Sequence, residues 1–293
     1  MENVTEQNGF ILINKREGVT SRSVDNAIQR LFHTRKVGHL GTLDPFASGL
    51  LVIAVNKGCK SLPFLDDSFK TYQAKLFLGK STSTGDLTGE AKETKNVAPL
   101  DRLTIQKVFD SFLNESEQIP PMTSAIHHEG KRLYDLSRKG IEIERKPRKI
   151  FIKSLKLLSF KENIVEFEVI CSRGTYVRTL GEDIAIKLGT VGHLTSLNRI
   201  AIGNKINLSM AKDIDDIVAS DLINPASLIE LPSLLVDDDD LIKDIKEGKR
   251  ITLKCENAQI LLYTIDKVNY DIIALAVYTR NKDNEYIIQR GLW

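Results

Sequence analysis

Cysteine is scarce in this chain. Cys59, Cys171 and Cys255 are the only three, each more than 80 positions from the next, and no CxxC pair exists. That argues against a disulfide framework and a cysteine-based zinc site, and it suits a reducing cytoplasm. Long hydrophobic runs are missing too. The longest, Leu50–Val55 and Ile272–Tyr278, have six and seven residues, whereas a membrane helix needs about 20. The opening MENVTEQNGF has neither a basic start nor an apolar stretch, so it does not read as a secretion signal. No internal repeat and no low-complexity segment stand out.

Net charge is also small, +2, but the charges are segregated. Residues 127–153 hold nine Lys/Arg against four Asp/Glu, and residues 211–247 hold three Lys against eleven Asp/Glu. A basic stretch set apart from an acidic one suggests a polyanionic partner on one face; two solvated surface segments are the plain alternative. An apolar content of 42% and a charged content of 27% are those of a globular protein. The length of 293 residues suits one large domain followed by a small one.

Hydrophobic spacing predicts the elements. Residues 9–14 read as a buried strand. Thr20 and Ser21 offer an N-cap to a helix carrying Val24, Ala27, Ile28 and Leu31. The stretch 38–49 is glycine-rich and irregular, and 50–55 is a buried strand. Tyr72, Ala74, Leu76 and Leu78 share one face of a strand over 69–78. A polar loop follows at 81–89, then an amphipathic helix over 104–113. Residues 115–149 read as a long loop with one helix around 131–139, and loops of that length tend to be functional. Residues 150–158 and 164–171 form a hairpin. A helix over 175–188 stops at Gly189, and a short helix is expected over 209–219. The acidic run 237–240 marks a domain boundary. Beyond it come a short helix and strands near 251–255, 260–265, 272–278 and 286–288.

The densest chemical signal is the run Gly38-His39-Leu40-Gly41-Thr42-Leu43-Asp44-Pro45-Phe46-Ala47-Ser48-Gly49. Its glycines allow the backbone positive φ and close approach to a ligand. Asp44, held by Pro45, is placed as a nucleophile or base would be. An Asx-turn capping local backbone is the competing reading. His39 reads as an acid/base group or as a loop histidine bonded to backbone.

The same run resembles the GHxGTLDPxASGLL signature of the tRNA pseudouridine synthase B family. Further matches follow in order. Lys15 with Gly18-Val19-Thr20-Ser21 is similar to the KPxGxTS motif, with Arg16 in place of proline. Lys70-Thr71-Tyr72 resembles the K-x-Y strand, and Ser83-Thr84-Gly85-Asp86 the TxTxD loop. Ile119-Pro120-Pro121-Met122-Thr123-Ser124-Ala125-Ile126 with Gly130-Lys131-Arg132-Leu133-Tyr134 resembles QxPPxYSAxKxxGxxLY. There Thr123 stands for the usual tyrosine and His127 for lysine. Cys171-Ser172-Arg173-Gly174-Thr175-Tyr176-Val177-Arg178 resembles CSKGTYIR. The likeness spans about residues 9–200.

The resemblance implies an α+β catalytic fold with a mixed, largely antiparallel central sheet flanked by helices and loops. It also implies a small β-rich PUA-like module. The catalytic domain would run over 1–236 with an RNA-binding insert at about 118–149, and the module over 237–293. The implied activity is isomerisation of the uridine at position 55 in the tRNA T loop, with no cofactor and no metal. Asp44, Tyr72 and Arg178 would be catalytic, Asp44 acting as nucleophile or base. Tyr176 and Leu197 would complete the pocket wall. His39 would occupy the gap left by the flipped base or support the flipped loop. Lys15 and Lys60 would contact RNA or serve structure, and Arg145, Lys146, Arg148 and Lys149 would clamp the T-loop backbone. The expected partner is the T-stem loop of tRNA, met in the cytoplasm by a monomer, with no membrane involved. Two other readings compete. One is an RNA chaperone that folds tRNA without chemistry. The other is an Asp-dependent hydrolase or phosphotransferase, which would want a metal and more carboxylates than Asp86 alone.

Overall fold

The computed structural model describes residues 7–122, 124, 127–128, 131–132, 141, 143–268, 270–283 and 285–293, with only the backbone given at 127–128 and 131–132. The elements that position the site begin with β1 (Gly9–Lys15), α1 (Ser21–Leu31), β2 (Val37–Leu40), β3 (Ser48–Val55) and β4 (Phe69–Leu78). Next come α2 (Arg102–Asp110), β5 (Asn114–Gln118), β6 (Arg148–Lys161), β7 (Ile164–Ser172), α3 (Val177–Lys187) and β8 (Gly192–Ile202). The chain ends with β9 (Ser233–Leu235), α4 (Asp239–Lys246), β10 (Gln259–Ile265), β11 (Ile272–Arg280) and β12 (Tyr286–Gly291).

Strands β1-β3-β8-β4-β7-β6-β5 follow one another across the main sheet, with β2 also on β3 and Ile206–Asn207 on β8. Every pairing in it is antiparallel except β3 with β8. This is the expected mixed, largely antiparallel α+β sheet. β1 and β3 are almost wholly apolar because both of their faces are covered. Ile11, Ile13, Leu51 and Ile53 join a core with α1, α2 and α3. Phe10, Leu12, Leu50 and Val52 face the other way, onto Leu261, Val277 and Leu292 of the C-terminal sheet. Burying each such side chain contributes roughly 1.5–3 kcal/mol. The C-terminal sheet runs β9-β10-β11-β12. Its first strand therefore precedes the acidic run.

Several sequence expectations need correction. The 11-residue strand β8 sits between β3 and β4 in the sheet, where no strand was expected. The supposed loop after 114 opens with β5, which pairs with β6 from Arg148↔Gln118 to Ile152↔Asn114. The helix placed around 131–139 falls mostly outside the described residues, and Lys131–Arg132 lies in a two-residue strand. In place of a helix over 209–219 there are short 3₁₀ turns at Leu208–Met210, Ile214–Asp216 and Ala219–Asp221. In that stretch Asp221 accepts from the local Val218 N–H instead. Of the strand expected at 251–255, only an isolated bridge between Ile251 and Tyr286 forms. No described helix is long and apolar enough to cross a membrane.

Candidate active site

The Asp44 loop connects β2 to β3 and is fixed from three sides. Thr20 caps α1 by accepting from Ser23 N–H at 3.0 Å. That start places Ser21, whose hydroxyl accepts from Leu43 N–H at 2.9 Å and donates to Leu43 C=O at 3.1 Å. Lys15, at the end of β1, points into the loop. Its ammonium donates to the carbonyls of Arg16, Val19, Pro45 and Ala47. Arg199 donates from Nη2 to the carbonyl of Gly41 at 2.9 Å. Gly49 closes the loop at φ +101°, where a Cβ would strike the backbone of Arg199 on β8.

Of the two roles expected of Lys15, RNA contact or structure, its surroundings here are those of the structural one. It is only 1% exposed, and its donors are used on main-chain carbonyls. Burial pulls its pKa down to about 8 and the Asp44 carboxylate opposes the fall, so it is largely charged at neutral pH. Lys60 is likewise committed to structure, donating to the main-chain oxygen of Trp293.

Arg178 sits in the first turn of α3, whose start is held by a residue the sequence reading did not single out. Gln118, on β5, accepts from Tyr176 N–H at 2.8 Å and donates to Tyr176 C=O at 3.1 Å. From there Arg178 Nε donates to Asp44 Oδ2 at 2.8 Å, and Nη1 donates to Thr84 C=O at 2.8 Å. Nη1 also lies 3.8 Å from Asp86 Oδ2. Asp86 is buried, and its Oδ1 accepts from the hydroxyls of Thr84 and Thr88 and from Thr88 N–H. The Thr/Asp loop thus backs the guanidinium while Asp44 faces it. Arg178 is buried, whereas a third of the Asp44 side chain, 34%, is open to solvent. That is the arrangement of a carboxylate presented to a ligand by a concealed cation.

Burial raises the Asp44 pKa, and the charge and hydrogen bond of Arg178 oppose it; Asp86 adds to the rise and Lys15 counters it. Tyr72 is buried in the core on β4, cross-strand from Val169 on β7 and from Arg199 on β8. Burial raises its phenol pKa, with Arg199 opposing and the Asp44 charge adding. Tyr72 and Asp44 therefore share one electrostatic neighbourhood. Burial drives the Cys171 thiol up to about 12, which leaves it an inert core residue.

His39 is on β2 at the edge of this group. Its Nδ1 meets Asp25 Oδ2 at 3.0 Å and its Nε2 meets Thr42 Oγ at 3.1 Å. A carboxylate only accepts, so Nδ1 carries a proton. Asp25, buried on α1, gave no sequence signal as a partner. The basic residues lie at the β5–β6 edge. Arg145 donates to Pro120 C=O at 3.1 Å, Lys149 pairs with Glu115 at 2.7 Å, and Lys146 and Arg148 are exposed. Thr123 and the side chain of His127 lie outside the described residues. Among the described residues no group of three His, Cys, Asp or Glu is placed to hold a metal.

The structure thus brings Asp44 and Arg178 together, with Tyr72 within reach of the Asp44 charge, backs the guanidinium with Asp86, holds the loop with Arg199, and turns the Lys15 and Lys60 ammoniums to main-chain oxygens. Residues 29–177 match a family described as TruB family pseudouridylate synthase, N-terminal domain. The chain is 50% identical over 195 residues to the tRNA pseudouridine synthase B of Hydrogenovibrio crunogenus, covering 67% of this chain and 64% of that protein. It is 36% identical over 277 residues to that of Psychrobacter cryohalolentis, covering 92% and 75%. With that of Onion yellows phytoplasma it shares 43% over 247 residues, covering 83% and 86%. For two other relatives of that name, from Psychrobacter arcticus and Syntrophotalea carbinolica, the chain spans 53% and 63% of their length, so like the first they are matched over less than two thirds. Among solved structures, a chain of a Cbf5-Nop10-Gar1 complex superposes with a TM-score of 0.71 at 20% identity, covering 98% of this chain and 85% of that one.

Proposed function

This chain belongs to the TruB family of pseudouridylate synthases, and from that premise we propose that it converts uridine to pseudouridine in tRNA, at position 55 of the T loop. The observation that carries the reading is the partly open Asp44 carboxylate bonded at 2.8 Å by the buried Arg178. The reaction breaks the bond from ribose C1′ to uracil N1 and joins C1′ to C5. The C5 proton leaves and N1 gains one, so nothing is oxidised and no water is consumed. An ionised carboxylate at the ribose–uracil centre suits it, as nucleophile at C1′ or as base on a ribose proton. Arg178 favours the ionised form of Asp44 against its burial, and holds it aimed.

A stacked uridine must leave its loop to reach Asp44, at a cost of a few kcal/mol. Stacking on the Tyr72 ring returns ~1–3 kcal/mol, and Leu197 and Tyr176 complete the wall. His39, at the edge of the same loop, supports the opened T loop. The insert at 118–149 grips the RNA backbone through Arg145, Lys146, Arg148 and Lys149. The division falls at the acidic run, with 1–236 catalytic and 237–293 a PUA-like module whose sheet borrows β9. The enzyme works as a monomer, in the cytoplasm where its tRNA is.

The test is tritium release from unmodified tRNA labelled at uracil C5, with no metal and no cofactor added. One equivalent should be released per tRNA, with pseudouridine mapping to position 55. Folding of tRNA without release would favour the chaperone reading instead, and release from another position would overturn the T-loop assignment.

A further inference from the structure

Asp25 is the one acidic residue of α1, and it is buried, at 2% exposure. Burying a carboxylate is costly unless it is hydrogen-bonded, and an apolar side chain would fill the same place without that cost. Both of its oxygens face the His39 ring: Nδ1 lies 3.1 Å from Oδ1 and 3.0 Å from Oδ2. The Arg22 guanidinium also lies near it, at 3.7 Å, but that side chain is 70% exposed and the distance exceeds a hydrogen bond. The carboxylate is thus spent on the imidazole.

α1 grips the approach to Asp44 twice. Its buried residues are Ser21, Val24, Asp25 and Ile28. Val24 and Ile28 join the core, while the two polar ones stand four apart and so share one face of the helix. Ser21 holds Leu43 by its N–H and its carbonyl, and Asp25 holds His39. Both ends of the stretch 39–43, which leads into Asp44, are therefore fixed to the same turn of helix. His39 closes the circuit, its Nε2 meeting the Thr42 hydroxyl oxygen at 3.1 Å. The hydrogen bond made by one ring nitrogen sets which nitrogen carries the proton. With Nδ1–H given to Asp25, a neutral ring keeps its Nε2 lone pair for Thr42 or for an incoming donor. The His39 side chain stays 20% exposed, so a ligand at the loop can still reach it.

We propose that Asp25 is a positioning residue for the isomerisation: it fixes the tautomer and ring plane of His39, so that the imidazole meets the opened T loop in a single orientation. The proposal rests on the reading above in which His39 supports that loop.

The experiment compares wild type, Asp25→Asn, His39→Ala and the double variant in single-turnover tritium release and thermal melting, and follows the His39 ring nitrogens by NMR. In wild type, at a pH where the ring is neutral, the proton should sit on Nδ1. Asparagine can donate as well as accept, so in Asp25→Asn that preference should be lost. Release should then slow roughly tenfold, the worth of one well-placed charge-assisted hydrogen bond. If Asp25 acts through His39, the double variant is no slower than His39→Ala alone. A proton on Nε2 in wild type, an unchanged ring signal in Asp25→Asn, or losses that multiply each overturn the proposal. A lowered melt with a wild-type rate in Asp25→Asn overturns it too, by making Asp25 structural only. Should Asp25→Asn fail to fold, Asp25→Leu, of similar size and without a buried charge, takes its place with the same expectations. A wild-type rate in His39→Ala sinks the reading of His39 on which the proposal rests. A wild-type chain that releases no tritium sinks the isomerase reading, whereas the NMR arm needs no turnover and judges the Asp25–His39 bond separately.

Discussion

Arg178 Nε donates to Asp44 Oδ2 at 2.8 Å although 134 positions separate the two residues in the chain. Each end has its own scaffold. Asp44 rides on a loop pinned by Ser21, Lys15 and Arg199, and Arg178 on a helix start pinned by Gln118. The bond is thus set by the fold before any substrate arrives, which is what a preorganised charge pair needs. Replacing Asp44 by Asn keeps the side chain's shape and removes its charge. Asp44→Asn should stay folded and bind tRNA but give no tritium release; near-normal turnover would remove Asp44 from the chemistry.

The pairing also sets a pH dependence. Burial holds the Asp44 pKa above the ordinary carboxylate range, with Arg178 the first influence against it. A group with a raised pKa ionises at higher pH, so the acid limb of the rate profile should lie above that of a free Asp. Arg178→Met removes the opposing charge. Its residual single-turnover rate should be much lower, and its acid limb should move to higher pH. Arg178→Lys should be impaired too, because the fork is lost. A midpoint that stays put in Arg178→Met would mean that Arg178 does not tune Asp44.

Lys15 tests structure against RNA contact. Its ammonium bonds four carbonyls, two of them in the Asp44 loop itself. Lys15→Met leaves these acceptors without their donor in a buried place, for a loss of roughly 2–4 kcal/mol of stability. Thermal melting should register that loss, while the salt dependence of tRNA binding should not change. A flattened salt slope with an unchanged melt would return Lys15 to the RNA.

The insert should behave in the opposite way. Each phosphate contact contributes a slope of roughly −0.7 to −0.9 in log K against log salt. Lys149 is engaged by Glu115 and Arg145 by the Pro120 carbonyl, so Lys146 and Arg148 should carry most of the effect. Neutralising all four should weaken tRNA binding and flatten the slope without lowering the melt. An unchanged slope would make the β5–β6 edge a solvated surface.

The motif residues were legible because they cluster: Asp44, Tyr72 and Arg178 sit in long, specific strings, and their strands alternate cleanly. β8 was not, because its register shifts after Leu194 and after Arg199. Leu194 and Leu197 then fall three apart, and the period-two signal disappears. β5, with the sequence NESEQ, has no apolar face to read; it is an edge strand defined only by pairing with β6. Arg199 and Gln118 were hidden for a related reason. A polar side chain spent on main-chain atoms of a distant segment leaves no pattern in its own neighbourhood.

Tyr72 is where a core role and a catalytic role conflict most directly. It belongs to the same buried core as Ala74, Leu76 and Val169, as a core tyrosine would, and its phenol nonetheless feels the charges of Arg199 and Asp44. A ring that merely fills space does not need its oxygen. Tyr72→Phe keeps the ring and removes the hydroxyl alone. If the ring only packs, the variant loses ~0.5–1.5 kcal/mol of stability and turns over normally. If the hydroxyl takes part in proton transfer, the chemical step fails while stacking still holds the flipped base. The expected result is a large fall in single-turnover rate with little change in tRNA dissociation constant. Tyr72→Leu should further weaken capture of the base, since stacking goes as well. A Tyr72→Phe enzyme with the wild-type rate would make this residue part of the core and leave Asp44 without its proposed partner in proton transfer.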